Sequence, residues 1–247
     1  MNKTRPIPLR RFVEISQATD VESFQQLLVR MANHCGFGLM SAMMVVEDMS
    51  GQGRHRWNVV DKRPPSYLKL YRDQARNEKC PVIRRLKQLS IPFIYNQSTY
   101  VEDGLGHQWE EQAPHGYREG IAVALHLPHH RHFALGFDGD APLPKDGTAL
   151  MRLLADLQLV AVYAHAAAER LLLPSLLNES DKPPKLTPRE LEVLKWTLDG
   201  KTAWETAAIL GISERTAVLH ITQAMRKLET VNKHQAALKA LRLGLIG

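Results

Sequence analysis

The stretch ILGISERTAVLHITQAMRKL, which runs from Ile209 to Leu228, decides how the C-terminal part of the chain folds. An apolar helix stops at Gly211, and a second helix begins two residues later at Ser213, a residue type that caps helix N-termini well. So short a turn between two helices indicates a helix-turn-helix. In the second helix, apolar side chains recur at helical spacing and are predicted to form its buried face: Ala217, Ile221, Ala224, Met225 and Leu228.

The opposite side of the second helix mixes basic, small and apolar residues, namely Arg215, Thr216, Leu219, Thr222, Gln223 and Arg226, with Val218 and His220 on its flanks. An exposed helix of this composition suits the major groove of DNA, because Arg neutralises phosphates and the methyl groups of Val, Leu and Thr can meet thymine methyls. The middle of this surface holds no side chain that reads guanine bidentately. We therefore expect phosphates to supply much of the affinity, and thymine contacts, Arg215 or Arg226, and DNA shape to supply specificity. The alternative is a helix of a small bundle that binds protein.

Clear helix start and stop signals lie on both sides of the two helices of the helix-turn-helix, and together they predict a four-helix, all-α domain over residues 186–247. In LTPRELEVLKWTLDG, Thr187 and Glu190 form a capping box around Pro188. KTAWETAAILG contains a second capping box, formed by Thr202 and Glu205, and KHQAALKALRLGLI is predicted as the fourth helix. Residues 185–247 hold ten Lys or Arg against six Asp or Glu, so this quarter of the chain carries +4 of the total charge of +6, as expected of a nucleic-acid-binding module.

Residues 186–247 resemble the DNA-binding domain of LuxR-type quorum-sensing regulators. The resemblance rests on Glu190, Leu194 and Gly200, and on the pattern Ser213, Arg215, Thr216, His220 and Lys227. One position departs from the family, since Ala217 stands where valine is usual. The resemblance implies that Val218, Leu219 and Thr222 face the bases. The complete set of candidate DNA-binding residues is Thr202, Ser213, Arg215, Thr216, Val218, Leu219, His220, Thr222, Gln223, Arg226 and Lys227.

The remainder of the chain predicts an α/β sandwich of the α-β-α type, because short apolar strands alternate with helices and at least one hairpin is present. Its strands are predicted in CGFGLMSAMMVVEDM, GQGRHRWNVVDKRPP, IPFIYN, IAVALHLP and HFALGFD, and a long helix follows from about Thr148 to Leu173. The segment PSLLNESDKPPK is polar and contains three prolines. We therefore predict a sensor domain over residues 1–173, a linker over 174–185 and the DNA-binding domain over 186–247.

The long helix carries an apolar stripe that has two interpretations. Its members are Leu150, Leu153, Leu157, Val160 or Ala161, Ala164, Ala168 and Leu171. A stripe of this spacing packs either against the domain's own sheet or against a second copy of the chain as a dimer seam. Arg152, Asp156, His165, Glu169 and Arg170 interrupt the helix, which argues against a membrane span.

Composition sets further bounds. A chain of 247 residues with 44% hydrophobic residues is sufficient for one large domain or two smaller ones with packed cores. Two cysteines provide neither a disulfide framework nor metal spacing, and the N-terminal MNKTRPIPLRRF lacks the apolar core of a signal peptide. We therefore expect a cytoplasmic protein.

The N-terminal part resembles the acyl-homoserine-lactone-binding domain of the same family. The family's spacing of a Trp, a Tyr, an Asp-Pro pair, a second Trp and a Gly is matched here by Tyr67, Tyr71, Cys80, Pro81, Tyr95 and Gly120. In the family the Asp accepts the ligand's amide N–H and the first Trp donates to the lactone carbonyl, whereas a Cys thiol accepts poorly. A further ligand-binding Tyr of the family falls on Arg63, and a Ser or Thr falls near Gly136. The candidate pocket residues are Arg63, Tyr67, Tyr71, Cys80, Val82, Tyr95, Gly120 and Gly136.

These substitutions leave three hypotheses for the pocket. Because each lost buried polar anchor costs about 1–3 kcal/mol, we do not expect an ordinary acyl-homoserine lactone to bind tightly. The pocket binds a different small molecule, or it is filled by side chains and the regulator is independent of ligand, or it accepts a lactone through rearranged contacts. Three phenols at Tyr67, Tyr71 and Tyr95 suit a flat or aromatic ligand and would serve equally as core.

Other chemistries have weaker signals. His126, His129, His130 and His132 lie at a predicted hairpin turn with no carboxylate or cysteine at metal-ligand spacing, and no cofactor is expected. Cys80 as a redox sensor requires a lowered pKa that no motif provides. No phosphate loop, nucleophile elbow or paired-carboxylate motif is present, and the strand pattern of a phosphorylated receiver domain is missing.

The sequence therefore predicts a DNA-binding transcriptional regulator with a small-molecule sensor domain, and not an enzyme. We expect a homodimer on promoter DNA, because paired half-sites multiply the limited specificity of one short helix. If the protein is an activator, RNA polymerase is a further partner. The competing hypotheses are a protein-interaction adaptor and an enzyme built on the sensor fold.

Overall fold

In the computed structural model, residues 7–47, 55–63, 77, 79–177 and 184–247 are described. The chain forms two compact units, Met1–Leu176 and Leu177–Gly247. Each unit contains its own hydrophobic core. The elements of each are numbered below in chain order.

The first unit is built on five strands, β1 Leu39–Val46, β2 Arg56–Lys62, β3 Phe93–Asn96, β4 Glu119–Leu127 and β5 Arg131–Gly139. Its α-helices among the described residues are α1 Leu9–Ser16, α2 Val21–His34, α3 Pro81–Leu86, α4 Gln97–Glu102, α5 Gly106–Gln112 and α6 Gly147–Leu171. The segment predicted as a helix from SYLKLYRDQARNEK lies almost entirely outside the described residues.

The strands form one sheet in the order β2-β1-β5-β4-β3, with every neighbouring pair antiparallel. Because side chains alternate along a strand, one face carries the large apolar residues, such as Met44, Phe133 and Phe137, and packs against α1, α2 and α6. The other face carries small residues, including Ala122 and Ala134, and is covered by α3, α4 and α5. The predicted α-β-α sandwich is therefore confirmed.

The apolar stripe of α6 is buried in its own unit. Leu153, Leu157, Val160, Ala161, Ala164 and Ala168 all lie in the core against the sheet. The first interpretation of the stripe is therefore confirmed, and the stripe itself cannot be a dimer seam. The outer side of α6 exposes Met151, Leu159 and Val162 instead. Within the described residues, α6 is the one helix that is long and apolar enough to cross a membrane by length and composition, a test that a soluble core helix also passes.

The first unit extends beyond the predicted boundary at residue 173. A 3-10 turn, Leu173–Leu176, follows α6, and the side chains of Leu173 and Leu176 join the core. The Asn58 amide on β2 donates to the Ser175 hydroxyl at 2.8 Å. The predicted linker therefore starts too early, because the turn-forming Pro174 and Ser175 belong to a packed turn rather than to a solvated segment.

The second unit contains α7 Pro188–Leu198, α8 Ala203–Leu210, α9 Glu214–Lys227 and α10 Lys233–Arg242. Thr187 and Thr202 form the two predicted capping boxes with Glu190 and Glu205. Gly211 ends α8 with φ of 64°, a left-handed conformation in which a side chain would be strained. The chain therefore reverses within one short turn, and Ser213 caps α9 at once.

Candidate ligand pocket and DNA-binding surface

A cavity of about 90 Å³ lies between the small-residue face of the sheet and helices α3 to α5. Five of the eight candidate pocket residues line it: Arg63, Cys80, Val82, Tyr95 and Gly136. Tyr67 and Tyr71 lie outside the described residues. One site therefore combines Arg63, which directly follows β2, with residues at the start of α3 and on β3 and β5. Sequence reasoning did not identify the buried amides Gln108 and Gln112 of α5, which also line it.

Gly120 has a different role from the one the resemblance implies. It lies in the middle of a cross-strand row in which Tyr95 pairs with Gly120 and Gly120 pairs with Asp138. The Tyr95 hydroxyl passes over this glycine and donates to Asp138 Oδ1 at 2.5 Å. A Cβ on Gly120 would lie 2.3 Å from the Tyr95 ring and 2.7 Å from the carboxylate. Gly120 is thus required for the close approach of its two neighbours.

Asp138 is the main pocket residue that sequence reasoning missed. It is 5% exposed and lines the cavity at the end of β5. A signal for it exists, because the strand HFALGFD alternates and Asp138 falls on the same face as Ala134 and Gly136. A charged residue on the inward face of an apolar strand is uncommon unless it is paired or functional.

Arg63 places a second charged group in the same cavity. Its side chain is 3% exposed, and its guanidinium lies 2.5 Å from the Asp61 carboxylate. A buried cation is tolerated only with a partner of opposite charge, and Asp61 supplies one. Arg63 therefore contributes an ion pair to the pocket wall.

Burial raises the pKa of Asp138 to about 7, although the bond from Tyr95 and the charge of Arg63 both oppose the rise. The folded chain consequently keeps this proton up to about pH 7, whereas the unfolded chain releases it near the ordinary pKa of 3.8. Between these values the folded state binds more protons, so the contribution of Asp138 to stability falls as the pH rises.

We predict that the free energy of unfolding of the first unit, taken as wild type minus the Asp138→Asn variant, falls by about 2–3 kcal/mol between pH 5 and pH 8. Urea unfolding of the full chain and the variant across this range measures it, and the subtraction removes the other titrating groups. Parallel pH curves for the two proteins would contradict the raised pKa.

We also predict that Gly120→Ala destabilises the first unit by about 1–3 kcal/mol, because the added methyl group overlaps the Tyr95 ring. Thermal unfolding of the full chain is the measurement. Gly147→Ala is the matched control, since nothing lies within 4 Å of the Cβ that it adds. Equal melting temperatures for the two variants would show that Tyr95 moves aside at no cost.

A second cavity, of about 110 Å³, adjoins the first and shares its lining residues Met43, Asn77, Ile83, Leu86 and Ala134. Its wall is mostly apolar and ends at Glu47, His55 and His132. His132 lies 3.2 Å from Glu47 and 2.9 Å from His126. Burial lowers the pKa of His132, and Glu47 opposes that shift. Among the described residues, no three His, Cys, Asp or Glu side chains are arranged to hold a metal ion.

The second candidate site is the outer surface of α9. Ala217, Ile221, Ala224 and Leu228 are buried beneath it, and Met225 packs against the same core. Val218 and Leu219 are 46% and 53% exposed, and Arg215, Thr222 and Arg226 are exposed beside them. The predicted buried and outward faces of this helix are therefore the observed ones.

Several candidate DNA contacts of α9 are also used within the unit. The Ser213 and Thr216 hydroxyls lie 2.7 Å apart, and Ser213 accepts from the Thr216 amide as the cap of α9. Thr202 caps α8 in the same way with Glu205. His220 and Gln223 are half-buried on the flanks of the outward face. These residues lie at the edges of the surface rather than at its centre.

Lys227, one of the candidate DNA-binding residues, also has a partner within the second unit. Its ammonium group lies 2.8 Å from the Glu190 carboxylate at the N-terminus of α7, and that carboxylate is 1% exposed. Glu190 also accepts from the Thr187 amide at 2.7 Å. Lys227 therefore joins the end of α9 to the start of α7. This contact depends on how the two helices pack, so no local sequence pattern predicts it.

Two known families account for most of the chain. Residues 20–168 match the autoinducer binding domain, and residues 184–240 match the bacterial regulatory proteins of the luxR family. The chain belongs to the LuxR family. It is thus a DNA-binding transcriptional regulator of the quorum-sensing type, whose members are regulators rather than enzymes.

Relatives of this LuxR-family protein match along most of their length. RpaR of Rhodopseudomonas palustris, a quorum sensing-dependent transcriptional regulator, is 34% identical over 189 residues, which cover 74% of this chain and 72% of RpaR. The transcriptional activator SolR of Ralstonia nicotianae is 34% identical over 188 residues, 76% of this chain and 78% of SolR. The crystal structure of Escherichia coli SdiA shares the fold with a TM-score of 0.73, at 23% identity, and covers 96% of this chain and 97% of that chain.

Proposed function

We propose that this LuxR-family regulator is a cytoplasmic homodimer that binds promoter DNA through α9, under the control of a small amphiphilic molecule held in the first unit. The observation that carries the proposal is the outward face of α9. Val218, Leu219, Thr222 and Arg226 are exposed on a helix whose opposite side is fully packed. Exposed apolar groups fixed beside a cation suit the floor of a major groove, where thymine methyls and phosphates lie together.

The pocket supports the sensing part of the proposal. A polar cavity with Asp138, Arg63 and Tyr95 adjoins a mostly apolar one, and together they suit a molecule with a hydrogen-bonding head and an apolar tail. Open space between the sheet and α3 favours this hypothesis over a pocket filled by side chains. Because a ligand shifts an equilibrium only by binding one state better, occupancy of the pocket acts by favouring the DNA-binding form of the dimer.

Selection from a random pool of duplexes tests the DNA-binding part. Purified full-length protein should enrich an inverted repeat whose half-sites are about one helical turn apart, as two copies of α9 require. Enrichment of a single unrepeated site would contradict the homodimer, and no enrichment at all would favour a protein-interaction adaptor. RNA polymerase becomes a partner if the selected site activates transcription in a reconstituted reaction.

Native mass spectrometry tests the sensing part. Protein purified from its own host should carry a molecule smaller than a typical drug, because the two cavities of about 90 and 110 Å³ lie below the usual ligand-pocket range of about 300–1,000 Å³. A bare protein that binds the selected duplex with full affinity would instead support regulation without a ligand.

A further inference from the structure

We propose that His126 and His132 form a pH-sensitive switch at the turn end of the β4–β5 hairpin. A hydrogen bond between the two imidazoles holds this end of the hairpin closed, and protonation of both imidazoles opens it. The switch requires neither DNA nor a bound small molecule, so it is independent of the proposed function. Because His132 also lines the second cavity, opening the hairpin loosens one wall of that cavity.

The two imidazoles face each other across the hairpin. His126 pairs with His132 in the register of β4 and β5, and their Nδ1 atoms lie 2.9 Å apart, within hydrogen-bond distance. A neutral imidazole has one N–H and one acceptor nitrogen, so one ring donates to the other, and a single added proton leaves that bond possible. When both rings are protonated, neither Nδ1 can accept, and two positive charges lie in contact.

The groups around the pair do not neutralise a second positive charge. Among the described residues that line the second cavity, Glu47 at the end of β1 is the single carboxylate. Its Oε1 lies 3.2 Å from His132 Nε2, and its Oε2 lies 3.9 Å from His130 Nδ1 in the turn. His55, directly before β2, and Lys87, directly after α3, line the same cavity and add no negative charge. One carboxylate is therefore shared by several basic groups.

The turn that the pair closes has an unfavourable backbone conformation. His129 and His130 have φ values of 63° and 55°, which are left-handed and uncommon for residues other than glycine. Such a conformation persists only where surrounding contacts hold it. The Glu47 amide supplies one contact by donating to the His130 carbonyl at 2.9 Å, and the imidazole pair supplies another. Loss of the imidazole bond therefore favours release of the turn from β1.

Acidification is the condition that opens the switch. Burial lowers the pKa of His132 from its usual 6.5, and the charges of His126 and His130 act in the same direction, while Glu47 opposes them. The closed hairpin therefore binds protons less readily than the open one. Its stability is fully present above the usual histidine pKa and is lost as the pH falls below that value. Since the two rings interact directly, they titrate as a pair.

Hydrogen exchange of the Glu47 amide, followed by NMR on the full-length protein with a chelator present, tests the proposal. This amide donates to His130, so its protection reports whether the turn is docked on β1. After correction for intrinsic exchange, its protection in wild type should fall about tenfold between pH 7.0 and pH 5.5, because each proton taken up on opening changes the equilibrium by up to about tenfold per pH unit. The amide of Leu28, a fully buried residue of α2, should not lose protection in parallel.

His126→Gln removes one imidazole and keeps a hydrogen-bond acceptor for His132. His126 is exposed, so the fold should be retained, and the Glu47 amide should keep its protection at pH 5.5. His132→Gln removes the other ring and should give the same result. His165→Gln is the matched control, since its imidazole lies 3.9 Å from the Glu169 carboxylate on α6, away from the pair, and it should retain the tenfold loss.

Three outcomes would overturn the proposal. Wild type could keep its protection at pH 5.5, or His126→Gln could lose as much protection as wild type. The two single variants could also disagree, with only His132→Gln abolishing the acid response. That last result would assign the response to the contact between His132 and Glu47 rather than to the imidazole pair.

Discussion

Replacing Thr222 and Arg226 together by alanine is expected to weaken binding to the selected duplex about a hundredfold, with the fold unchanged. Each contact of this kind to a base or a phosphate contributes about 1–3 kcal/mol. Both side chains are exposed on α9, and the Thr222 hydroxyl donates to the Val218 carbonyl of its own helix. Their removal therefore leaves the packed underside of α9 intact. Fluorescence anisotropy at a fixed salt concentration measures the loss, and the melting temperature checks the fold.

Lys195→Ala is the matched control for this double variant. Lys195 is exposed on α7, and its replacement removes one positive charge, as the double variant does. If the general positive charge of the unit were responsible for binding, the two proteins would lose affinity equally. If α9 lies in the groove, the control should lose much less, and the double variant should also show a smaller dependence of affinity on salt. Equal affinity of all three proteins would contradict the DNA-binding role of this face.

The helix-turn-helix was predictable from the sequence because its determinants are local. A capping side chain accepts a hydrogen bond from an amide only three residues away. Gly211 ends α8 through its own left-handed backbone conformation, which depends on no distant residue. The buried face of α9 follows from helical periodicity in the same way. The role of Lys227 was not predictable, since its partner Glu190 is 37 residues away and meets it only when α7 and α9 pack.

The pocket depends even more on contacts between residues that are distant in the sequence. Spacing along the chain was sufficient to bring Cys80, Val82 and Tyr95 to one cavity. The pairing of Tyr95 with Asp138 depends on the register of three strands, and a shift of one residue in either ladder would turn one of them to the other face. No local pattern specifies that register, so the pairing of Tyr95 with Asp138 was recognised only in the structure.

Glu190→Ala is expected to destabilise the second unit by about 2–3 kcal/mol, because it removes the cap of α7 and a charged hydrogen bond to the half-exposed Lys227. The carboxylate is 1% exposed and bonds both the Lys227 ammonium and the Thr187 amide, so its loss removes a helix cap and an interhelical contact together. Glu192→Ala is the control on the same helix. Its 2.8 Å pair with Arg189 has both side chains more than 40% exposed, and such pairs contribute about 0–1 kcal/mol. Thermal unfolding of the full chain should separate the two variants clearly.

The pH dependence distinguishes this ion pair from a simple packing contact. Burial of Glu190 acts to raise its pKa, but the bonds from Lys227 and Thr187 outweigh burial and hold the pKa below its usual value of 4.5. The stabilisation is therefore present above the unfolded pKa and is lost as the pH falls through the lower folded value.

Lys227→Ala tests whether this lysine contacts DNA phosphate or holds α9 against α7. The two roles have different effects on the salt dependence of DNA binding and on the melting temperature. Loss of a phosphate contact would reduce the salt slope of DNA binding by about 1 with little change in stability. The structure predicts the reverse, a lower melting temperature with the salt slope retained.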